Sequence, residues 1–187
     1  MTISVSEALS GLDAVPWQKL QHAYGAASDV PELITALASR DRTVGDKTWE
    51  TLYGNLWHQG TIYEATVHAV PFLVRLLDAD AVQEKHKILV YLANLYCGNS
   101  YLAMNDSWKS EVSRPNLERR LETELGWVAA TKSAIVAGLE SYVQQLHGPE
   151  SGSKIASAYL LGLLGCRTDA GERELSISEE IADSCEI

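Results

Sequence analysis

The octapeptide Val30-Pro31-Glu32-Leu33-Ile34-Thr35-Ala36-Leu37 returns forty positions later as Val70-Pro71-Phe72-Leu73-Val74-Arg75-Leu76-Leu77. Val, Pro, Leu, a β-branched residue and a final Leu recur in register, at the positions a packed helix needs, with the variable residues between them. A period near 40 residues in an apolar, helix-patterned chain marks stacked helix pairs, each of which buries its apolar side only against its neighbours. The expected fold is all-α, a short α-solenoid of helix pairs (an α-α superhelix). Such a stack offers an extended surface for recognition more readily than it builds a catalytic centre.

The helical patterns fill in three pairs and a cap. Ser6 to Leu9 reads as one short turn, and Pro16 to Tyr24 as a helix with proline at its first position, where a missing N–H costs nothing. The first pair runs from about Pro31 to Ser39, with Asp29 as cap, and from about Asp46 to His58, with Trp49, Leu52 and Leu56 on one face. Gln59-Gly60-Thr61 breaks the chain. Thr61-Ile62-Tyr63-Glu64 then has the order of a capping box, followed by an apolar face through Ala65, His68, Ala69, Phe72, Leu73, Leu76 and Leu77, with Pro71 inside it. A helix from Val82 to Tyr96 completes the second pair, its Leu89, Leu92 and Tyr96 standing forty after Trp49, Leu52 and Leu56.

Residues 98–114 break the period and read as an irregular insertion carrying Tyr101, Met104 and Trp108. Pro115 restarts a helix whose stretch Leu117 to Glu124, with Glu118/Glu122 and Arg120/Glu124 at i, i+4, reads as a solvated face. A third pair, Ala134 to Leu146 and Tyr159 to Leu164, matches the second at an offset of 69, with His147-Gly148-Pro149 as its turn. Gly138 and Gly162 fall in apolar helices, where a missing side chain lets a neighbour come close. The expected organisation is one helical repeat domain over 1–167, and an acidic segment over 168–187 that is either a helical cap, through Leu175, Ile177 and Ile181, or a mobile tail.

Charge narrows the partners. The net charge is -10; residues 168–187 hold seven acids against Arg173, and the rest of the chain holds 18 acids against 14 bases. No basic stripe is visible, so nucleic acid is not an expected partner. A basic protein partner suits the charge. Three widely spaced cysteines, Cys97, Cys166 and Cys185, make no metal or redox motif and read as free thiols of a reducing compartment. Met1 to Glu7 has neither a basic region nor an apolar run, and no stretch reaches membrane-spanning length, so a cytoplasmic protein without membrane attachment is expected.

Chemistry is sparse. The five histidines form no metal motif, and no phosphate loop, dinucleotide fingerprint or nucleophile elbow occurs, so neither metal nor cofactor is expected. His58 ends a helix beside Gln59, Gly60 and Tyr63, as a recognition or acid–base residue or as a cap for loop backbone. His68 reads as a core histidine. Trp49, Trp57 and Tyr63 with Asp41, Asp46 and Glu50 are the residue types of a base-excision groove, but the basic rim it needs is missing; packing between repeats is the better reading.

Trp57-His58-Gln59-Gly60-Thr61-Ile62-Tyr63-Glu64-Ala65, followed by Ala69-Val70-Pro71-Phe72-Leu73, resembles a bacterial group of HEAT-repeat-containing proteins. Ala137-Gly138-Leu139 and Ala156 to Leu164 are similar to the inner-helix pattern of that group, and the likeness spans about residues 28–165. The resemblance implies HEAT-like helix pairs; it carries over no activity residue by residue.

The function expected from these features is a non-enzymatic protein–protein interaction module, one form of which is an inhibitor, of immunity type, for a basic partner. Contacts are expected from Trp57, His58, Gln59, Tyr63 and Glu64 on the helix-end ridge and from Tyr101 and Trp108 of the insertion. The alternatives are a small-ligand or enzyme pocket near His58 and Tyr63, and a structural subunit of a larger assembly.

Overall fold

The computed structural model describes residues 3–39, 41–105 and 114–165. The chain is mostly helical: α1 (Val5–Ala8), α2 (Val30–Ala36), α3 (Arg42–Leu56), α4 (Glu64–Leu76), α5 (Lys85–Cys97), α6 (Tyr101–Met104), α7 (Arg114–Val136), α8 (Leu139–Leu146) and α9 (Ser151–Leu163). A two-stranded antiparallel hairpin, β1 (Gln21–His22) with β2 (Gly25–Ala26), precedes α2. One buried apolar cluster runs from Ala8 to Leu161.

The repeat is visible in the C-terminal halves of α2 and α4. They end forty residues apart, at Ala36 and Leu76, and the next residue of each, Leu37 and Leu77, is buried, as are Val30 and Val70. Their starts differ. α2 begins at Val30, so Pro31 lies in its first turn, whereas α4 begins at Glu64 and Pro71 falls inside it. There Pro71 is exposed and withdraws the N–H that the Val67 carbonyl would otherwise meet.

Two layers result. Asp46 meets Lys87 at 3.1 Å, the Trp49 ring meets Tyr91 at 5.7 Å, and Asn94 donates to the Tyr53 hydroxyl at 3.0 Å. These pairs advance along both helices together, so α3 and α5 lie side by side in the same direction. His86 at the start of α5 lies against Gly152 at the start of α9, and the two helices pack along their length. α3, α5 and α9 thus form one parallel layer. In the other, α2 packs on α4 and α4 on α7, while Ser141 and Gln145 of α8 bond to Asp78 and to the Leu77 carbonyl just past α4.

Two buried tyrosines fasten these layers. The Tyr91 hydroxyl donates to the Leu52 carbonyl at 2.7 Å, and the Tyr142 hydroxyl donates to the Ile135 carbonyl at 2.7 Å. Burial raises both phenols above their ordinary pKa of 10.0. Below pH 10 both states keep these protons. Above it the unfolded chain releases them and the folded chain does not, so stability falls as pH rises. The expected slope is about 1.4 kcal/mol per pH unit for each phenol. Urea titrations between pH 9 and 11.5 check this: Tyr91→Phe and Tyr142→Phe should each flatten the decline, and an unchanged slope in both would contradict it.

The structure corrects several expectations. Pro16 opens a single 3-10 turn (Trp17–Lys19) and the hairpin, not a helix. The local groups find distant partners: Trp17 Nε1 donates to the Leu12 carbonyl at 2.8 Å, the Ala23 N–H to Asn55 at 3.0 Å, and His22 pairs with Asp29 at 3.1 Å. The helix expected over 134–146 is divided between the end of α7 and α8, with the break at Gly138. Gly162 is exposed near the end of α9. His68 is exposed, edge-on to Trp17, and the buried histidine is His22. The Thr61/Glu64 box is not made. Tyr63 is the N-cap of α4, and its N–H donates to Thr66 Oγ1 at 3.2 Å. The Glu64 carboxylate instead accepts the Gln21 N–H at 3.3 Å. Residues Trp108, Cys166, Leu175, Ile177, Ile181 and Cys185, with the acidic segment 168–187, lie outside the described residues.

Candidate functional site: an aromatic cleft beside Tyr63

The turn after α3 sets the site. Trp57 leaves the helix at φ -145, and Gln59 and Gly60 both take positive φ, 51 and 86. This reverses the chain, which then runs beside the segment following α5. The Asn99 N–H donates to the Gly60 carbonyl at 2.9 Å and the Asn99 carbonyl accepts the Ile62 N–H at 2.9 Å. The approach is close because position 98 is glycine: a Cβ there would lie 2.6 Å from Ile62 Cδ1. Pinned in this way, the chain begins α6 at Tyr101, on the same side as Tyr63.

Two N–H donors in the first turn of α6 are held by side chains. Ser100 Oγ accepts the Ala103 N–H at 2.8 Å, and Glu124 Oε2, reaching across from α7, accepts the Leu102 N–H at 3.0 Å. Glu124 Oε1 accepts from Arg120 Nε at 3.0 Å. The Glu124 side chain is only 5% exposed, and that of Arg120 is 59% exposed. Sequence spacing placed this pair on a solvated face; the carboxylate is in fact buried, because it is the acceptor for a buried backbone N–H.

Between these elements lies a cleft of about 260 Å³ lined by Thr61, Ile62, Tyr63, Tyr101, Arg120, Glu124 and Trp127. Tyr63, Tyr101 and Trp127 are half-buried. Burial pushes the Tyr63 phenol above its usual range; a hydrogen bond with Thr61 opposes this, and Tyr24, Tyr101 and Glu124 nearby reinforce it.

Of the residues singled out in the sequence, Tyr63 and Tyr101 meet in this cleft. Trp57, His58, Gln59 and Glu64 do not line it. His58 Nδ1 lies 3.2 Å from the Tyr24 hydroxyl, with the rings at 5.4 Å. Trp57 packs edge-on against Tyr53 at 5.9 Å, its Nε1 buried without a hydrogen-bond partner. Gln59 is exposed, and Glu64 supports the hairpin. Arg120, Glu124 and Trp127 were missed. They stand at i, i+4, i+7, one helical face, and the signal was an aromatic residue continuing a face otherwise read as charged.

Among the described residues no three His, Cys, Asp or Glu side chains gather as metal ligands, and no helix is long and apolar enough to cross a membrane. No protein-family model, no curated protein and no solved structure matches this chain.

Proposed function

We propose that this protein is a non-enzymatic protein-binding module, a short HEAT-like stack of helix pairs whose partner anchors in the cleft beside Tyr63. The parallel layer of α3, α5 and α9 supports the stack. The observation that carries the binding reading is the make-up of the cleft. Tyr63, Tyr101 and Trp127 belong to two of the residue types most enriched at binding hot spots. Its volume, about 260 Å³, suits one or two inserted side chains and lies below the range of pockets that enclose a whole small molecule.

The chain's charge of -10 favours a basic partner, and inhibition of that partner, as an immunity protein does, is the form of binding the reading favours. The test compares retention of a partner by the wild type, Trp127→Ala, Tyr63→Ala and, as an exposed aromatic control on α9, Tyr159→Ala. Each cleft variant is expected to weaken the complex by about 2 kcal/mol, roughly thirtyfold in Kd. The control should leave it unchanged. Equal retention by all four would sink the assignment of the cleft.

A further inference from the structure

We infer that the cleft takes a single cationic side chain, a lysine or arginine of a basic protein partner, set among the faces of Tyr63, Tyr101 and Trp127 with Glu124 as its counter-ion. The inference rests on the reading of the cleft as the partner's anchor and adds the chemistry of what enters. Three aromatic residues line this small volume, and a cation desolvated over aromatic faces is attracted to them. The carboxylate completes the arrangement. Glu124 lines the cleft, is buried, and is fixed by the Leu102 N–H, so its position is set before anything binds.

Arg120 marks the place of the incoming charge. Its guanidinium already satisfies Glu124, from a side chain that is mostly in solvent. The guanidinium meets Glu124 through Nε at 3.0 Å, and a cation that takes its place keeps the buried carboxylate paired. A partner's cation entering among the rings would take Glu124 Oε1 and release Arg120 to water, exchanging a pair whose cation is mostly in solvent for one lined by aromatic residues. The chain's net charge of -10 adds a long-range attraction of the same sign preference.

The test is a titration of the full chain with three blocked tripeptides, Gly-Lys-Gly, Gly-norleucine-Gly and Gly-Glu-Gly. The tryptophan indole N–H signals are followed by NMR, that of Trp127 being assigned with Trp127→Phe. The lysine peptide should shift the Trp127 signal and saturate, at least tenfold tighter than the norleucine peptide. Arg120→Ala should tighten the lysine peptide several-fold. Glu124→Gln, which keeps an oxygen for the Leu102 N–H, should bring lysine down to the norleucine level. Equal binding of lysine and norleucine overturns the cationic occupant and leaves an apolar anchor standing. Preference for the glutamate peptide overturns it in favour of anion capture by Arg120. If no peptide moves the Trp127 signal the inference fails, and the retention measurement with Trp127→Ala then decides separately whether the cleft anchors a partner.

Discussion

Tyr91→Ala is expected to destabilise the protein by about 4–6 kcal/mol, the cost of removing a buried aromatic side chain together with the partner of a buried carbonyl. Tyr91 is fully buried, its ring lies 4.6 Å from that of Tyr53 and 5.7 Å from that of Trp49, and its hydroxyl holds the Leu52 carbonyl. All of these partners are on α3, so the residue joins the first helix pair to the second. A typical domain has about 5–15 kcal/mol in total, so the variant should be near or past its limit at 37 °C. Tyr91→Phe keeps the ring and should cost only about 1 kcal/mol. Urea unfolding of both variants checks the pair of values. A loss below about 2 kcal/mol for Tyr91→Ala would mean that α3 and α5 do not depend on this contact.

Gly138→Ala comes next, with an expected loss of about 3 kcal/mol from overpacking and a displaced hydrogen bond. A Cβ at position 138 would overlap the Tyr142 hydroxyl and lie 2.8 Å from Val74 Cγ1. Val74 belongs to α4 and Tyr142 to α8, so neither can retreat without opening the layer. The Tyr142 hydroxyl would be pushed off the Ile135 carbonyl, which keeps the Gly138 N–H as its other donor at 3.0 Å. Tyr142→Phe alone should cost about 1 kcal/mol. In the double variant the overlap with the hydroxyl is gone while Tyr142 Cζ and Val74 Cγ1 still crowd the methyl group at 2.7 and 2.8 Å, so its loss should be smaller than the sum of the two but well above that of Tyr142→Phe alone. Thermal or urea unfolding of the four proteins measures this coupling. Strict additivity would show that the hydroxyl is not what position 138 must avoid.

The sequence carried the helix pairs well where burial is periodic. Trp49, Leu52 and Leu56 on α3, and Leu89 and Leu92 on α5, are buried as their spacing requires, and the turn at His147 to Pro149 separates α8 from α9. It failed where side-chain bonds and a long-range bond to Asn55 outweigh local preference. Pro16 is a sound first residue for a helix, yet the groups after it bond to Leu12, Asp29 and Asn55 and form a turn and hairpin. Nothing within that segment announces those partners. α7 was split because its charged first half and apolar second half read as different elements, although its backbone is continuous over 114–136.

The candidate site was half legible for a related reason. Tyr63 and Tyr101 stood out as aromatic residues beside helix ends, and the bridge through Asn99 brings them together. Trp127 and Glu124 did not stand out, because their role depends on α7 crossing α6, a contact that no spacing encodes. His58 looked like chemistry and is engaged with Tyr24.

The measurement that bears most directly on the cleft as the binding site is photo-crosslinking in cells of the source organism. A benzophenone amino acid replaces Arg120 at the rim of the cleft or, as a control, Tyr159 on α9, 50% exposed. The expected result is one discrete adduct from position 120 that disappears when Trp127→Ala is added, and none from position 159. An adduct from position 159 with none from position 120 would place the partner elsewhere and contradict the cleft as its anchor.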